Sequence, residues 1–336
     1  MNVLRFQPLF KERVWGGRRL AELYGKRLPT DVPIGESWEI VDRPEEQSVV
    51  LDGPLAGSTL GGLWRSERRI ELFGARAANW GERFPLLVKL LDAEHALSVQ
   101  VHPPASLAPE PKTEMWFIAE ARTDAHLLAG LRAGVDRARF ESALRNGADI
   151  AGLLHRIGVS AGDSLFVPSG RVHAIGPGNL VVEVQQNSDT TYRVSDFARV
   201  GLDGRPRELH VEESLASIDF DDVEPSLQNP LGDTIVSCDF FHVERLELDR
   251  ASAAASAAPA LRDSRSEAAS GAPAMRDNHS EAAAPPGEMA ILASLRGKVR
   301  CGECELAPGQ FALVPATESG SALRGEGELL RVTLPR

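Results

Sequence analysis

The sequence is poor in the features that mark secreted, nucleic-acid-binding and membrane proteins. It has only three cysteines, Cys238, Cys301 and Cys304, so it carries no disulfide framework and fits a reducing compartment. Its net charge of -11 excludes a partner such as duplex DNA, whose binding requires the neutralisation of many phosphates. No run approaches the roughly 18 apolar residues of a membrane span, and the first residues lack the apolar core of a signal peptide. We therefore expect a cytoplasmic protein with neither a nucleic acid nor a membrane as its partner.

Two of the cysteines form a Cys301-Gly-Glu-Cys304 pair that superficially looks like half of a metal knuckle. A structural zinc site needs a second pair of ligands, and the neighbouring sequence offers none. The surrounding residues, CGECELAPGQFALVPA, follow the pattern of a strand, a turn and a strand. We interpret the pair as structural.

The chain length of 336 residues favours two domains, and the hydrophobic content of 43% is that of a folded globular protein. Short β-type runs such as SWEIV, LSVQV, EMWFIAEA and NLVVEVQQ dominate, and most are bounded by Gly, Pro, Asn or Asp. Many short strands between turns predict a barrel or a sandwich. Residues 133–157 have the apolar spacing of a helical insertion that Asp136 caps, and a second helix begins near His210 and closes the first domain.

The C-terminal part reads as a smaller β-domain that contains an insertion. Residues 251–287 are rich in Ala, Ser and Pro and have few large apolar side chains, which predicts a flexible segment. Within it, residues 258–270 (APALRDSRSEAAS) recur at residues 272–284 as APAMRDNHSEAAA, and two copies are too few for a solenoid. We predict a catalytic domain over residues 1–234 and the smaller domain over residues 235–336.

Two pairs of polar residues share strand faces in the middle of the chain. Gln100 and His102 are two residues apart in LSVQVHPP, and Lys112 and Glu114 are two apart in PKTEMWF. On a strand, residues at this spacing point to the same side. Either pair alone is weak evidence, because alternating polar residues usually mark the solvated face of a strand.

A third element changes this interpretation. In GDSLFVPSGRVHAIG, Gly162 is followed by Pro168, Gly170 and His173 at the spacing of the second cupin motif. The Pro-Ser-Gly turn reverses the chain and places His173 at the start of the next strand, where it can meet ligands from the earlier one. Two imidazoles, a carboxylate and an amide oxygen suit zinc, although iron or manganese would also tolerate them.

Several blocks of the sequence resemble those of the mannose-6-phosphate isomerases. The blocks LSVQVHPP, KTEMWF, VPSGRVHAIGPG and VVEVQQNSDTTYRVSDF, with GESWEI before and RELHVEESL after, appear in the family's order and cover most of residues 1–220. The resemblance implies a mainly β fold of two cupin-type jelly-roll barrels, with a small helical insertion in the first. It also implies one zinc ion per chain, with the ligands Gln100, His102, Glu114 and His173. The pocket positions that it implies are an active-site arginine, Arg193, together with Lys112, Glu183 and Asp189.

The implied reaction interconverts mannose 6-phosphate and fructose 6-phosphate through an enediol, which requires a base and an electrophile. Zinc can polarise the sugar oxygens, and Arg193 can stabilise negative charge because its guanidinium stays protonated. Glu183, Lys112 and Asp189 remain alternatives for proton transfer, and Glu183 could equally orient a zinc ligand. For the phosphate, Ser98 is the best candidate because it shares the strand face of the predicted ligands. Further cations that could bind it are Lys89, Arg13 and Arg18.

Two other functions remain open on the residues alone. A different metal-dependent cupin enzyme, such as an iron oxygenase, would use a similar set of ligands, because this fold hosts many chemistries. Gln100 and the set of Lys112, Glu114 and Arg193 suit an anionic polyol better than oxygen. A non-catalytic sugar-binding cupin would retain binding without turnover. We expect an enzyme that acts as a monomer on a small sugar phosphate.

Overall fold

The computed structural model describes residues 3–249 and 287–335. Within these ranges the chain is mainly β, as the sequence predicted, and it has three antiparallel sheets and five short α-helices. The predicted flexible insertion and its near-duplication lie outside the described residues, apart from Gly287.

The first sheet has six strands, and its central strands separate two interiors. Its order is β1 (Leu9–Gly17), β2 (Ile34–Ile40), β3 (Leu86–Ala93), β10 (Asn179–Gln186), β5 (Glu114–Ala121) and β8 (Ser164–Val167). Because side chains alternate along a strand, Val88 and Val182 enter one apolar core, while Leu91 and Val181 enter another on the opposite face. Lys89 and Glu183 lie on the second of these faces.

The second sheet packs against that second face. Its five strands run in the order β11 (Tyr192–Ser195), β4 (Val99–Val101), β9 (His173–Ile175), β6 (His126–Leu131) and β7 (Leu154–Gly158). Leu127 and Ile175 from this sheet join Leu91, Trp116 and Val181 from the first sheet in one buried cluster. The two antiparallel sheets therefore face each other as in a cupin-type jelly roll.

The third sheet contains all of the described strands that follow the first two sheets in the chain. It consists of β12 (Thr234–Ser237), β13 (His242–Leu248), β17 (Leu323–Thr333), β14 (Ala290–Cys301) and β15 (Cys304–Leu306) in that order, with β16 (Phe311–Val314) paired to β14. Phe241, directly before β13, and Ile291 of β14 share a core cluster with Met115 of the first sheet. Leu4 and Leu313 also exchange backbone hydrogen bonds of 2.8 Å, so the N-terminal segment is attached to the C-terminal sheet.

The helices are short and lie between strands. They are α1 (Arg19–Tyr24), α2 (Leu60–Trp64), α3 (Arg69–Phe73), α4 (Arg137–Arg145) and α5 (Val211–Ser217), with 3-10 turns at Ala75–Asn79, Ala151–Leu153 and Ala316–Glu318. Asp136 caps α4 by accepting a hydrogen bond of 2.8 Å from the Arg139 amide, and α5 begins directly after His210, both as predicted.

The helical insertion is shorter than the sequence pattern indicated. The helix ends at Arg145, because Gly147 has a left-handed φ of 65°, and the following residues form a 3-10 turn and then β7. Leu154 and Ile157, which fitted a helical period, instead lie on an edge strand and pack in two different core clusters. Short apolar runs fit both periods, so the spacing alone did not distinguish them.

The cysteine pair forms the predicted strand, turn and strand. Cys301 ends β14, Cys304 begins β15, and the two residues are paired in register. All three cysteines are free thiols, and burial raises the pKa of Cys301 to about 11. In residues 3–249 and 287–335, no helix combines the length and apolar character that crossing a membrane requires.

Candidate metal centre and active site

A cavity of about 610 Å³ lies between the first two sheets and is lined by residues from both. Every residue predicted for the site lines it, namely Ser98, Gln100, His102, Lys112, Glu114, His173, Glu183, Asp189 and Arg193. These residues come from five strands and three loops that are up to 95 positions apart in the chain, counted from Ser98 to Arg193. The fold therefore brings the separate sequence blocks together around a single space.

Three side chains with metal-ligating atoms converge in this cavity. His102 Nε2 lies 3.5 Å from one carboxylate oxygen of Glu114, and His173 Nε2 lies 3.7 Å from the other. The ligand atoms of all three residues lie within 4.8 Å of one another, and each residue is 1% exposed. Two imidazole nitrogens and a carboxylate at this spacing can share one metal ion.

The backbone fixes which nitrogen of each histidine faces the centre. His102 Nδ1 lies 3.0 Å from the Thr190 carbonyl oxygen, and His173 Nδ1 lies 2.8 Å from the Arg171 carbonyl oxygen. A carbonyl oxygen can only accept a hydrogen bond, so Nδ1 carries the proton in both rings. Each Nε2 then presents a lone pair to Glu114, the arrangement in which proteins orient histidine ligands.

Strand pairing and one glycine turn place these residues. Gln100 on β4 is in register with His173 on β9, so the predicted fourth ligand lies beside the third. Gly170 has a left-handed φ of 94°, which the turn before His173 requires, and its amide donates to the His102 carbonyl at 2.9 Å. The motif turn is thus hydrogen-bonded to the segment that carries the first histidine.

Electrostatics keep the three ligands in metal-binding protonation states. Burial, followed by the charge of Lys112, lowers the pKa of His102 to about 4, and burial lowers the pKa of His173. Burial opposes ionisation of Glu114, but Lys112 and the two histidines hold the pKa of that carboxyl well below its usual range. Near neutral pH the centre therefore offers two neutral imidazoles and one carboxylate.

Lys112 lies directly beside the three ligands. Its ammonium nitrogen is 2.8 Å from a carboxylate oxygen of Glu114 and 3.2 Å from His102 Nε2, and the residue is 5% exposed. Burial alone would lower the pKa of Lys112, but the charges of Glu114 and Glu183 outweigh burial and raise it. Lys112 is therefore a buried, protonated ammonium group next to His102 and Glu114.

Glu183 belongs to a second buried charge network on the same face. It is paired in register with Lys89 and with Trp116, and its two oxygens lie 3.0 Å from the Lys89 ammonium and 3.2 Å from the Trp116 indole nitrogen. Trp116 in turn packs edge-on against His173, with ring centroids 5.2 Å apart. Glu183 thus holds the indole ring that packs against His173.

Glu36 extends this network and was missed by the sequence interpretation. It accepts hydrogen bonds from Arg13 Nε at 2.7 Å and from Trp38 Nε1 at 2.6 Å. Burial opposes its ionisation, yet Lys89 and Arg13 lower its pKa to about 2. The alternating polar pattern of GESWEI was the available signal, but such a pattern more often marks a solvated strand face.

The cations that were considered for phosphate binding fall into two groups. Arg13 and Lys89 line the cavity, whereas Arg18 donates to the Pro29 and Val32 carbonyls on the outside, so that its role is structural. Arg193 donates to the Glu208 carbonyl at 2.7 Å and, within the described part of the chain, has no carboxylate at ion-pair distance. Arg207 also lines the cavity and was not predicted, because a single arginine in a loop carries no periodic signal.

Comparisons with known proteins identify the family to which the chain belongs. The model of the phosphomannose isomerase type I catalytic domain matches residues 3–115. Mannose-6-phosphate isomerase ManA of Bacillus subtilis is 38% identical over 271 residues, which cover 77% of this chain and 83% of that protein. The chain belongs to the type I phosphomannose isomerase family.

This family consists of aldose-ketose isomerases, as the sequence blocks predicted. The crystal structure of the mannose 6-phosphate isomerase from Bacillus subtilis has a TM-score of 0.80 with this chain at 30% identity, and the match covers 99% of each chain. A mannose 6-phosphate isomerase solved with zinc and yttrium bound shares the fold, with a TM-score of 0.70 at 20% identity over the full length of both chains.

Proposed function

We propose that the protein is a zinc-dependent isomerase that interconverts mannose 6-phosphate and fructose 6-phosphate through an enediol. The observation that carries the proposal is the convergence of His102, Glu114 and His173 within 4.8 Å in a cavity that also contains Lys112 and Arg193. Membership of the phosphomannose isomerase family supports the choice of substrate. The paired metal-ligand and charged groups fit an anionic polyol.

The ligand set that we propose for one zinc ion per chain is His102, Glu114, His173 and Gln100. The fixed histidine tautomers and the low pKa of Glu114 suit a divalent cation, and Gln100 is adjacent to His173 in register. When bound, zinc supplies a Lewis acid that polarises oxygens of the sugar. With these four side chains as ligands, the coordination sphere of the ion would still have room for substrate oxygens.

Proton transfer falls to the groups that line the cavity beside these ligands. Lys112 holds a proton at its ammonium nitrogen, next to the ligand set, and can donate it to a substrate oxygen. Both oxygens of Glu183 have partners, Lys89 and Trp116, which favours an orienting role for Glu183. Asp189 is exposed at the cavity and is free of such pairing among the described residues, so we propose it as a proton acceptor.

The phosphate end of the substrate requires a group of cations that outnumbers the carboxylates paired with it. Lys89 and Arg13 both pair with buried carboxylates, whereas Arg193 has no such partner in the described residues. We propose that Arg193 stabilises negative charge on the substrate and that Ser98, which is 5% exposed and lines the cavity, donates a hydrogen bond to it.

The lining of the cavity indicates which part of the chain is catalytic. Every lining residue lies between Glu12 and Arg207, which supports residues 1–234 as the catalytic domain and residues 235–336 as a supporting one. We also propose that the chain acts as a monomer. Three free cysteines fit our proposal of a cytoplasmic location.

The test is a coupled assay of fructose 6-phosphate formation from mannose 6-phosphate. Protein is assayed as purified, after chelation and after zinc is restored, with Arg193→Ala and His173→Ala as variants. We expect activity to disappear on chelation and to return with zinc, and both variants to be impaired. Absence of turnover in folded, zinc-loaded protein would refute the proposal. Iron content with oxygen consumption would then favour an oxygenase, and sugar binding alone would favour a non-catalytic protein.

A further inference from the structure

Asp196 is a buried carboxylate just after β11 that two arginines share. The residue is 5% exposed. Arg207 binds it with both Nε, at 2.7 Å from Oδ2, and Nη2, which contacts Oδ1. Arg199 Nη2 lies 2.7 Å from the same Oδ1. Such forked arginine-carboxylate pairs fix both partners in orientation as well as in distance.

The backbone next to Asp196 adopts a conformation that requires support. Phe197 and Ala198 have consecutive left-handed φ values of 54° and 56°, which side chains with a Cβ rarely adopt. The Arg199 amide donates to the Asp196 carbonyl at 3.0 Å, and the Arg199 side chain also donates to the Ala96 carbonyl. The Asp196 contacts therefore hold a strained turn that redirects the chain.

The redirected segment, residues 200–206, forms a wall of the substrate cavity. Val200 and Pro206 form a β-bridge, and the Gly201 amide donates to the Arg205 carbonyl at 2.6 Å, so the segment is a small hairpin. Gly201, Leu202 and Asp203 line the cavity, as does Arg207 at the end of the hairpin. Arg199 and Arg207 flank the hairpin, so Asp196 fixes both of its ends.

The charge at this wall is positive. Arg199 and Arg207 both donate to Asp196, whereas Arg193 donates to the Glu208 backbone carbonyl, so one hydrogen-bonded carboxylate faces three arginines. The carboxylates of Asp189 and Asp203 also line the cavity, but neither forms an ion pair with these arginines among the described contacts. An anionic group of the substrate can therefore be bound here without displacing an existing pair.

We propose that Asp196 is a positioning residue that holds Arg207 and the hairpin 200–206 against the cavity, where they bind the phosphate group of the substrate. The inference rests on the proposed function, because it assigns the anion to a sugar phosphate. Asp196 itself does not touch the substrate, and it acts through the orientation of the Arg207 guanidinium. The phosphate group is bound equally in the ground state and the transition state, so the loss of Asp196 should weaken substrate binding and leave kcat nearly unchanged.

The experiment measures kcat and KM for mannose 6-phosphate and the dissociation constant of inorganic phosphate, all with zinc-loaded protein. The variants are Asp196→Asn, Arg207→Ala and the double variant. We expect Asp196→Asn to raise KM and the phosphate dissociation constant by about tenfold, with kcat changed less than about threefold. In the Arg207→Ala background, Asp196→Asn should raise KM and the phosphate dissociation constant by less than about twofold, because Asp196 acts through Arg207.

Glu244→Gln is the matched control. Glu244 accepts a hydrogen bond of 2.8 Å from Arg331 Nε in the third sheet, is half-buried and does not line the cavity. It should lower stability while leaving KM and phosphate affinity unchanged. An Asp196→Asn variant that behaves like this control, or effects of Asp196→Asn and Arg207→Ala that multiply, would overturn the proposal.

The experiment also covers a variant that does not fold and a wild-type protein without turnover. If Asp196→Asn does not fold, Asp196→Glu carries the same test, since its longer side chain displaces the guanidinium while keeping the charge. Its rise in KM should then vanish in the Arg207→Ala background, and persistence there would overturn the proposal. If the wild-type protein shows no turnover, the proposed isomerase function fails, whereas the phosphate affinities still decide the role of Asp196.

Discussion

A histidine nitrogen lies 3.7 Å from a glutamate oxygen in two regions of this molecule. One pair is His173 and Glu114 in the N-terminal barrel, and the other is His242 and Glu244 in the third sheet. The first pair is 2% and 1% exposed in its side chains and meets a second histidine, whereas the second is 26% and 17% exposed and meets Arg331. The residue types and the distance are the same in both pairs. Burial and the presence of a second histidine therefore distinguish the candidate site from the surface contact.

The same contrast holds for the interiors of the two regions. The barrel encloses buried charges, including Lys89, Lys112 and Glu183, while the third sheet encloses apolar residues such as Leu292 and Leu329. Among the described residues of the third sheet, the charges are at least partly exposed except for Glu328, which is buried and pairs with Arg245. Buried ion pairs are often no more stabilising than apolar side chains of similar volume, so the polar interior is retained for chemistry.

The largest expected effect comes from removing one metal ligand. His173→Ala should lower kcat/KM by more than about a hundredfold, because loss of even a group that orients a metal ligand costs about 10–100-fold. The His242→Ala control should leave kcat/KM unchanged. The measurement is the steady-state kinetics and the zinc content of both variants. Equal losses of kcat/KM in the two variants would contradict the distinction between the two pairs.

Next in size is a change to the apolar interior of the third sheet. Leu292→Ala should lower the free energy of unfolding by about 3 kcal/mol, because Leu292 is fully buried and its removal leaves a cavity. The kcat of the folded variant should not change. Leu231→Ala, at a position that is 87% exposed, is the control and should leave stability nearly unchanged in urea unfolding. A large loss of kcat in Leu292→Ala would contradict the separation of roles.

A buried carboxylate outside the active site should make stability depend on pH. Asp92 is fully buried and accepts a hydrogen bond of 2.8 Å from the Arg19 amide, and burial raises its pKa to about 6 from 3.8. A raised pKa favours the protonated form in the folded state, so this contribution is complete below about pH 4 and disappears as the pH rises through 6.

Relative to Asp92→Asn, the wild-type protein should lose roughly 2–3 kcal/mol of stability between pH 4 and pH 8. Urea unfolding of both proteins at several pH values measures this difference, which subtracts the titration of other groups. A difference that stays constant with pH would show that Asp92 has an ordinary pKa.

The smallest effect is expected from the exposed charges of the third sheet. Glu305 pairs with Lys298 and Arg300 at 3.3 and 3.1 Å, but all three residues are exposed. Solvent and salt screen such pairs, so Glu305→Gln should leave both the unfolding midpoint and kcat within experimental error. A clear loss of either would mean that the third sheet depends on its charges as the barrel does.

The sequence predicted the parts of the site that local patterns encode. His173 was identified from motif spacing, and Gln100 and His102 from their common strand face. Outside the site, Asp136 was identified as a helix cap from its position before a helical period. Arg207 and Asp196 were not identified, because their pairing depends on a turn that joins residues 11 positions apart. Local periodicity carries no information about such contacts.

The boundary between the two parts of the chain shows a similar limit. The strands of the third sheet were recognised as short β-runs, but the apolar core that Met115 shares with Phe241 and Ile291 was not. Alternation tells which residues share a face, and it does not tell what the face packs against. Likewise, the polar face of β10 was consistent with solvent exposure until pairing with β3 and β5 enclosed Glu183.

The most direct test of the central claim is to locate zinc by anomalous diffraction in crystals of the zinc-loaded protein. Data collected on both sides of the zinc absorption edge should give one strong peak between His102 Nε2, His173 Nε2 and the Glu114 carboxylate, with Gln100 beside it. The absence of a peak there, or a peak only at surface residues such as His242, would contradict the account.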